Sequence, residues 1–418
     1  MSIAVVTLIA LAIAIVVSCF SPINIGFLAI GLASLIGYVY GLPFKTIVQG
    51  FPLSLFIILT GVTLLFSQAN VNGTLSKLTH KAMRLAKGRV GLLPIIIFFL
   101  TWALSSIGPG NIAMIALMSP IAMAVAGDAR INPVMMTIMI VNGANAGAFS
   151  PISPTGIISA ALTDKIGLPD IAMKMFMNNL WANFAIGMGA YLLFGGLKLW
   201  KNNNEETENL VDNIVDEPFN TKQWITLGSI LLLVISVIFF KFNVGLAAFI
   251  IATTLSITGV ADEEKAVKAM PWNAIVMVCG VSLLMGFVES TGGLDLFTSL
   301  LAKFSTPGSV TGVLGFICGL ISAYSSSSGV VMPAFLPLIP GLIAKMGGGD
   351  PLAMASAINV GAHVVDASPL SVGGALCIGC AAAWVDKKKM FRDLMIWGLS
   401  MSVVGAITVW LLFTVLGL

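Results

Sequence analysis

The chain has 418 residues, of which 58% are hydrophobic and only 9% are charged, and its mean hydropathy is +1.01. A soluble domain carries about 25% charged residues, so this composition excludes a soluble enzyme and a nucleic-acid-binding protein. The formal net charge of +3 is too small to indicate a class of partner. Two His residues cannot make a His-rich metal site, and the five Cys all lie in apolar runs. We therefore predict an integral membrane protein that is not an enzyme and holds no transition metal.

The first half of the chain predicts five membrane crossings and one re-entrant hairpin. A transmembrane helix needs about 20 apolar residues, and the apolar run 3–20 lacks the basic flank of a signal peptide, so it is predicted to be the first crossing. The run 90–126 is broken in its middle, and each part is too short to cross. The predicted elements are scaffold spans in 1–69, a basic interfacial arm at 75–89, a hairpin at 90–126, a broken helix at 132–163 and a continuous helix at 174–199.

The second half of the chain repeats this plan after a hydrophilic linker at 200–222. Ser105-Ser106 recurs as Ser325-Ser326 at an offset of 220, and Ser150-Pro151 recurs as Ser368-Pro369 at an offset of 218. Repeat 1 therefore occupies 1–199 and repeat 2 occupies 223–418. In repeat 2 we predict scaffold spans in 223–290, a hairpin at 309–344, a broken helix at 352–383 and a final helix at 391–417.

The number of crossings sets the relative orientation of the repeats. Five is odd, so the second copy is expected to enter the membrane upside down, as in many secondary transporters. If both termini lie outside, 15 of the 21 Lys and Arg residues fall in cytoplasmic loops, as the positive-inside rule favours. We predict an all-α polytopic protein of the bacterial inner membrane, built from two inverted-topology repeats with the N-terminus and C-terminus outside.

The four predicted breaks are rich in Gly, Pro, Ser and Asn. At membrane depth, non-helical backbone is tolerated only beside protein or a water-filled cavity. Free helix N-termini favour anions, whereas free carbonyl groups suit Na⁺. Close helix packing would explain scattered small residues, but not Gly108-Pro109-Gly110 or four consecutive serines. The predicted substrate-binding residues are Ser105, Ser106, Gly108, Asn111, Asn142, Ser150, Thr155, Ser325, Ser326, Ser327, Ser328, His363, Ser368 and Ser371.

Lys and Arg are absent from all four breaks, where Asp366 and His363 are the ionisable groups besides the cysteines. An anionic substrate would therefore need a co-bound cation to help neutralise it. Intramembrane carboxylates are functional by default, so Asp366 is interpreted as a cation ligand or proton acceptor. His363 would contact a substrate carboxylate or carry a proton. Alternatively, the two residues only fix the loop between them.

Two halves that each carry a Ser-rich hairpin tip and a Pro-containing unwound span resemble the ion transporter superfamily. The chain is most similar to the divalent anion:Na⁺ symporter group and, within it, to MatC-type dicarboxylate carriers. The Ser-Asn-Thr signature of that group is altered here, since the tips read Ser105-Ser106-Ile107 and Ser325-Ser326-Ser327-Ser328. The resemblance implies an elevator motion of the hairpins against a static scaffold. It also implies two cation sites, formed by Thr101, Ser105, Asn145 and Gly147 in one half and by Ser322, Ser326 and Asp366 in the other.

Together these observations predict a secondary active transporter for small dicarboxylates, either four-carbon acids or malonate. Na⁺ is the favoured coupling ion and H⁺ the alternative, with no other cofactor. The expected partners are the substrate, the cation and the lipid bilayer, with a homodimer as a further possibility and no nucleic acid. A carrier of citrate, a sulfonate or an aromatic acid, or the membrane subunit of a TRAP-type transporter, is the alternative within the superfamily. A channel or an exporter is the alternative from another class.

Overall fold

The computed structural model describes residues 2–21, 23–83, 90–201, 218–240 and 242–417. All regular elements among these residues are helical. Most of the predicted linker and the last part of the predicted arm lie outside the described residues. In chain order the helices are α1 (Ile3–Phe20), α2 (Ile25–Val39), α3 (Phe44–Val48), α4 (Leu53–Val71), α5 (Thr74–Met83), α6 (Leu93–Ser106), α7 (Gly110–Asp128), α8 (Pro133–Ala148), α9 (Pro154–Lys165), α10 (Ala172–Leu193), α11 (Thr221–Ile238), α12 (Val244–Ile257), α13 (Glu263–Ala269), α14 (Trp272–Ser290), α15 (Gly293–Ala302), α16 (Val310–Ser322), α17 (Ser327–Met346), α18 (Pro351–His363), α19 (Val372–Gly379) and α20 (Lys387–Val415).

Several of these helices are built for a bilayer. Among the described residues, five have both the length and the apolar composition to cross one, namely α4, α7, α14, α17 and α20. Shorter apolar helices such as α2 and α12 accompany them. With only 9% charged residues in the chain, such helices are stable only where lipid covers their apolar surface. The protein is a multi-pass membrane protein.

One group of helices contains α1, α2, α4 and α11 to α15 and is joined by two close crossings, α2 on α14 and α4 on α12. Each crossing depends on a pair of glycines that lets the backbones touch. A Cβ atom on Gly26 or Gly280 would overlap backbone of the other helix, and the same holds for Gly61 and Gly245. Gly26 and Gly245 are 219 residues apart, as are Gly61 and Gly280. At this offset α2 corresponds to α12 and α4 corresponds to α14. The crossing of α2 on α14 in one place therefore matches the crossing of α12 on α4 in the other.

The second group contains α6 to α10 and α16 to α20. Helices α6 and α7 form one hairpin and pack on α8, whereas α16 and α17 form another and pack on α18. The two halves meet inside this group, where α10 contacts α18 and α7 contacts α19. The two groups of helices touch each other mainly where α17 contacts α14 and α15 and where α4 contacts α9.

The structure contains an element that the sequence analysis did not predict. Helix α15 is only ten residues long and joins α14 to the second hairpin. It packs on α1 and α17 and occupies the place in the second half that α5 occupies in the first. A search for runs of about 20 apolar residues overlooks a helix of this length.

Candidate functional site

Four helices begin directly after the four breaks, and their first residues lie around one region. These helices are α7, α9, α17 and α19, and their N-terminal residues line two adjoining cavities. Tight backbone turns allow this arrangement. Gly108 and Gly110, at the turn where α7 begins, adopt φ values of +138° and +83°, which favour glycine. Because each helix N-terminus carries partial positive charge and unpaired N–H groups, the region favours an anion.

The first cavity, of about 420 Å³, lies between the tip of the first hairpin and helices α4 and α14. The second, of about 390 Å³, lies between the tip of the second hairpin, the α18–α19 loop and the α1–α2 loop. The cavities share four lining residues, Asn111, Ile112, Ala274 and Ser328. A ligand held at this shared boundary therefore contacts both hairpins at once.

Asp366 accepts hydrogen bonds from both halves of the chain at the edge of the second cavity. Its Oδ1 accepts from the Ser327 hydroxyl at 2.9 Å, and its Oδ2 accepts from Asn145 Nδ2 at 3.1 Å. Because the Ser327 proton is used in this bond, the Ser322 hydroxyl donates to Ser327 over their 2.7 Å separation. Both donors to the carboxylate are neutral, so a negative Asp366 keeps its charge unbalanced by any cationic side chain of the cavities.

Asn145 connects the two halves at the centre of the protein. Its amide donates to the backbone carbonyl of His363 at 2.8 Å, and its Oδ1 accepts from Asn111 Nδ2 at 2.7 Å. Asn145 and His363 are 218 residues apart, which is the offset of the repeated Ser-Pro motif. Corresponding positions of the two broken helices thus touch each other, and the first hairpin is linked to Asp366 through one buried amide.

His363 lines the second cavity but has a restricted role. Its Nδ1 lies 2.8 Å from the Asn359 carbonyl oxygen, and its ring packs edge-on against Phe149 at 5.0 Å. Since a carbonyl only accepts, Nδ1 carries the proton, and Nε2 of the neutral ring is an acceptor. A neutral His363 therefore cannot donate a hydrogen bond to a substrate carboxylate, whereas a protonated one can.

The predicted site residues divide into two sets in the structure. Those that line a cavity or bond directly to Asp366 are Gly108, Asn111, Asn145, Thr155, Ser322, Ser325, Ser326, Ser327, Ser328, His363, Asp366 and Ser371. The others pack between helices and line neither cavity, namely Thr101, Ser105, Ser106, Asn142, Gly147, Ser150 and Ser368. In this second set Ser105 donates to the Ala144 carbonyl, and Thr101 and Ser106 each donate to a carbonyl of their own helix.

The sequence analysis missed a second layer of amides behind Asn145. Asn179 donates to the Asn145 backbone carbonyl at 2.7 Å, and Asn183 donates to the Asn179 side chain at 2.9 Å. Both residues are fully buried. Three asparagines within six residues of an apolar span are a signal that could have found this layer. Asn273 and Tyr324, which line the second cavity, carry no comparable signal.

Few ionisable side chains line the two cavities. Among the residues that the structure describes, no Lys or Arg lines either cavity, and the titratable side chains of the lining are those of Asp366, His363 and Tyr324. Within the part of the chain that the structure describes, no three His, Cys, Asp or Glu side chains form a group that could hold a metal ion. The site thus offers hydroxyls, amides, helix N-termini and one carboxylate.

The N-terminal part of the chain, residues 1–148, matches a family model described as the dicarboxylate carrier protein MatC N-terminus. This match confirms the resemblance to MatC-type carriers that the sequence predicted. Two solved structures resemble nearly the whole chain. The YdaH transporter of Alcanivorax borkumensis has 18% identity and a TM-score of 0.59, with 91% of this chain and 89% of that chain covered.

The second solved structure is MtrF of Neisseria gonorrhoeae, which is described as illuminating a class of antimetabolite efflux pumps. It has 13% identity and a TM-score of 0.58, with 99% of this chain and 94% of that chain covered. At these identities the likeness establishes the fold, which is that of membrane transporters. The family model and both structures represent carriers or transporters and not enzymes, in agreement with the exclusion of an enzyme.

Proposed function

We propose that the protein is a secondary active transporter of small dicarboxylates, with four-carbon acids or malonate as the first candidates. One observation supports this proposal above the others: four helix N-termini surround two joined cavities, and no Lys or Arg in the described parts of the chain lines either of them. Helix N-termini bind carboxylates through their unpaired N–H groups. The match of residues 1–148 to the dicarboxylate carrier model supports the same substrate class.

The proposed coupling ion is a cation, with Na⁺ favoured and H⁺ possible. Asp366 receives only two neutral donors, and an intramembrane carboxylate is costly unless a cation or proton balances it. Oxygen atoms of Ser322, Ser326 and Ser327 lie around the same cavity and are ligands of the type that Na⁺ prefers. A bound cation would also help to neutralise the substrate, so binding of the two would be mutually favourable.

The proposed transport cycle is an elevator motion of two inverted repeats. The exchanged glycine crossings of α2 on α14 and α4 on α12 and the central Asn145–His363 contact are what a two-fold relation between the halves produces. The group of α6 to α10 with α16 to α20 would move, and the group of α1, α2, α4 and α11 to α15 would stay fixed. The most extensive helix packing lies within each group and not between the groups, which supports a sliding boundary.

The proposed orientation places both termini outside the bacterial inner membrane. Each cavity is bordered by a loop that this orientation places in the cytoplasm. Ala269 and Pro271 border the first cavity, and Ser21 and Ile23 border the second. The arrangement described here would then be an inward-facing state. A homodimer stays a proposal, and export instead of uptake is the second candidate direction because MtrF, which shares the fold, is described as an efflux pump.

Uptake of radiolabelled succinate, malate and malonate into proteoliposomes tests the proposal. The assay is run with an inward Na⁺ gradient, with a pH gradient and with neither, and export is followed from preloaded vesicles. Saturable transport that a cation gradient accelerates is the expected result. Ion conductance without saturation would instead indicate a channel. If no dicarboxylate is transported in either direction, the proposed substrate class is wrong.

A further inference from the structure

The first cavity differs in chemistry from the second, although the two are joined. Its walls are mostly apolar and include Leu59, Phe66, Ile158 and Ile275. The Thr63 hydroxyl on this wall is already engaged, since it donates to the Leu59 carbonyl of its own helix at 2.7 Å. An apolar chamber therefore adjoins the polar boundary at which the helix N-termini meet.

A four-carbon acid held at the polar boundary fills little of this chamber. Pockets of about 300–1,000 Å³ bind ligands of drug-like size, and the apolar cavity alone measures about 420 Å³. A compact dicarboxylate held by the α17 and α19 N-termini would leave the apolar walls unfilled. The shared boundary at Asn111 and Ser328 connects the polar end of such a ligand to this space.

From this geometry we infer that the first cavity is a subsite for the apolar tail of the substrate, so the preferred ligand is a dicarboxylate that carries an alkyl chain. This inference rests on the proposed function and specifies its substrate class. The carboxylates lie at the polar boundary, and the tail lies between α7 and α4. A lipid acyl chain is the competing occupant of the same space.

A competition series in the wild-type protein tests the inference. The uptake of labelled succinate is measured in the presence of competing succinates that bear a methyl, butyl or hexyl group at carbon 2. Each buried methylene is expected to lower the inhibitor concentration that halves succinate uptake by about three- to fourfold. A concentration that stays constant or rises along the series would overturn the tail subsite.

A pair of matched variants locates the effect. Ala116 lines the apolar cavity, whereas Ala124 lies on the same helix, is exposed and does not line it. Ala116→Phe fills the cavity and is expected to reduce the preference for hexylsuccinate over succinate about tenfold. Ala124→Phe leaves the preference unchanged. Equal preferences in both variants and in the wild type would place the tail elsewhere.

The two proposals can fail separately. If succinate is not transported in either direction, the proposed function fails, and the rise in unfolding temperature of purified protein with the alkylsuccinate series still tests the subsite. A rise that grows with chain length in wild type and Ala124→Phe, but not in Ala116→Phe, supports it. A response that instead follows the lipid composition of the reconstitution and ignores the alkylsuccinates assigns the cavity to a lipid chain and overturns the inference.

Discussion

The two hairpin tips have similar sequences but different surroundings. At the first tip, the Ser105 and Ser106 hydroxyls both donate to backbone carbonyls, and Asn111 is its main polar side chain at the cavities. At the second tip, all four serines from 325 to 328 line a cavity, and Ser327 donates to Asp366. The second tip also packs against α14, whereas the apolar cavity separates much of the first tip from α4.

This difference shows that repeated residues need not have repeated roles. Ser106 and Ser326 occupy corresponding positions, yet Ser106 donates to the Trp102 carbonyl and Ser326 accepts from the Gly329 N–H. Asp366 corresponds to Ala148 at the offset of 218, so the first half has no carboxylate at this position. Under the proposed function, the second tip would bind the cation through Asp366, and the first tip would contribute helix N-terminal charge and shape.

The largest expected effect comes from removing the carboxylate at the second tip. Asp366→Asn keeps the side-chain volume but removes the charge. Losing charge-assisted contacts, worth about 1.5–3 kcal/mol each, should weaken apparent cation affinity about 10- to 100-fold. Cation titration of succinate uptake in proteoliposomes measures this. Asp393→Asn, a partly exposed carboxylate on α20 that pairs with Arg392, is the control, and an unchanged cation dependence in Asp366→Asn would remove the difference between the tips.

A somewhat smaller effect is expected from the amide that joins the tips. Asn145→Ala removes the bonds to Asn111, Asp366 and the His363 carbonyl together. Leaving buried polar groups unpaired costs about 1–3 kcal/mol each, so apparent substrate affinity should fall about tenfold or more. Asn142→Ala, on the same helix and bonded only to the Ile138 carbonyl, should change it less than about twofold. Equal losses in the two variants would mean that Asn145 acts through packing alone.

Corresponding serines give a direct comparison of the tips. Ser326→Ala removes the cap on the Gly329 N–H and a cavity hydroxyl, and a lost cap of about 1 kcal/mol corresponds to a roughly fivefold weaker cation affinity. Ser106→Ala should change it little, because that hydroxyl bonds within α6. Sodium-dependent uptake measures both variants. A larger loss in Ser106→Ala than in Ser326→Ala would assign the cation to the first tip.

The smallest expected effect concerns the boundary between the two groups of helices. Lys165 at the end of α9 lies 3.6 Å from Glu289 at the end of α14, and both are about half exposed. An exposed ion pair contributes about 0–1 kcal/mol, so Lys165→Glu should change the uptake rate no more than about fivefold. Joint exchange with Glu289→Lys should restore the rate, and low salt should enlarge the difference. If the exchanged pair behaves as the single variant does, this contact does not hold the two groups of helices in the arrangement described here.

Much of the fold was accessible from local sequence. Runs of apolar residues mark the helices that need lipid, and Gly108-Pro109-Gly110 and Ser150-Pro151 end helices because their backbones leave helical geometry there. Composition also excluded a soluble protein, because 9% charged residues cannot cover the surface of one. The sequence analysis missed the short helix α15 because its ten residues are far fewer than the roughly 20 apolar residues that mark a membrane-spanning helix.

The candidate site was only partly accessible in this way. The sequence placed Ser105, Asn142 and Asp366 at helix breaks, but the helix that passes beside each of them decides whether it faces a cavity. Ser105 meets the Ala144 carbonyl, and Asn145 meets Asp366 from the other half of the chain. A sequence by itself determines where a backbone can leave the helix and which groups must be buried, because these depend on neighbouring residues. Which buried groups meet across 221 residues depends on how the helices pack, and only the tertiary structure decided that.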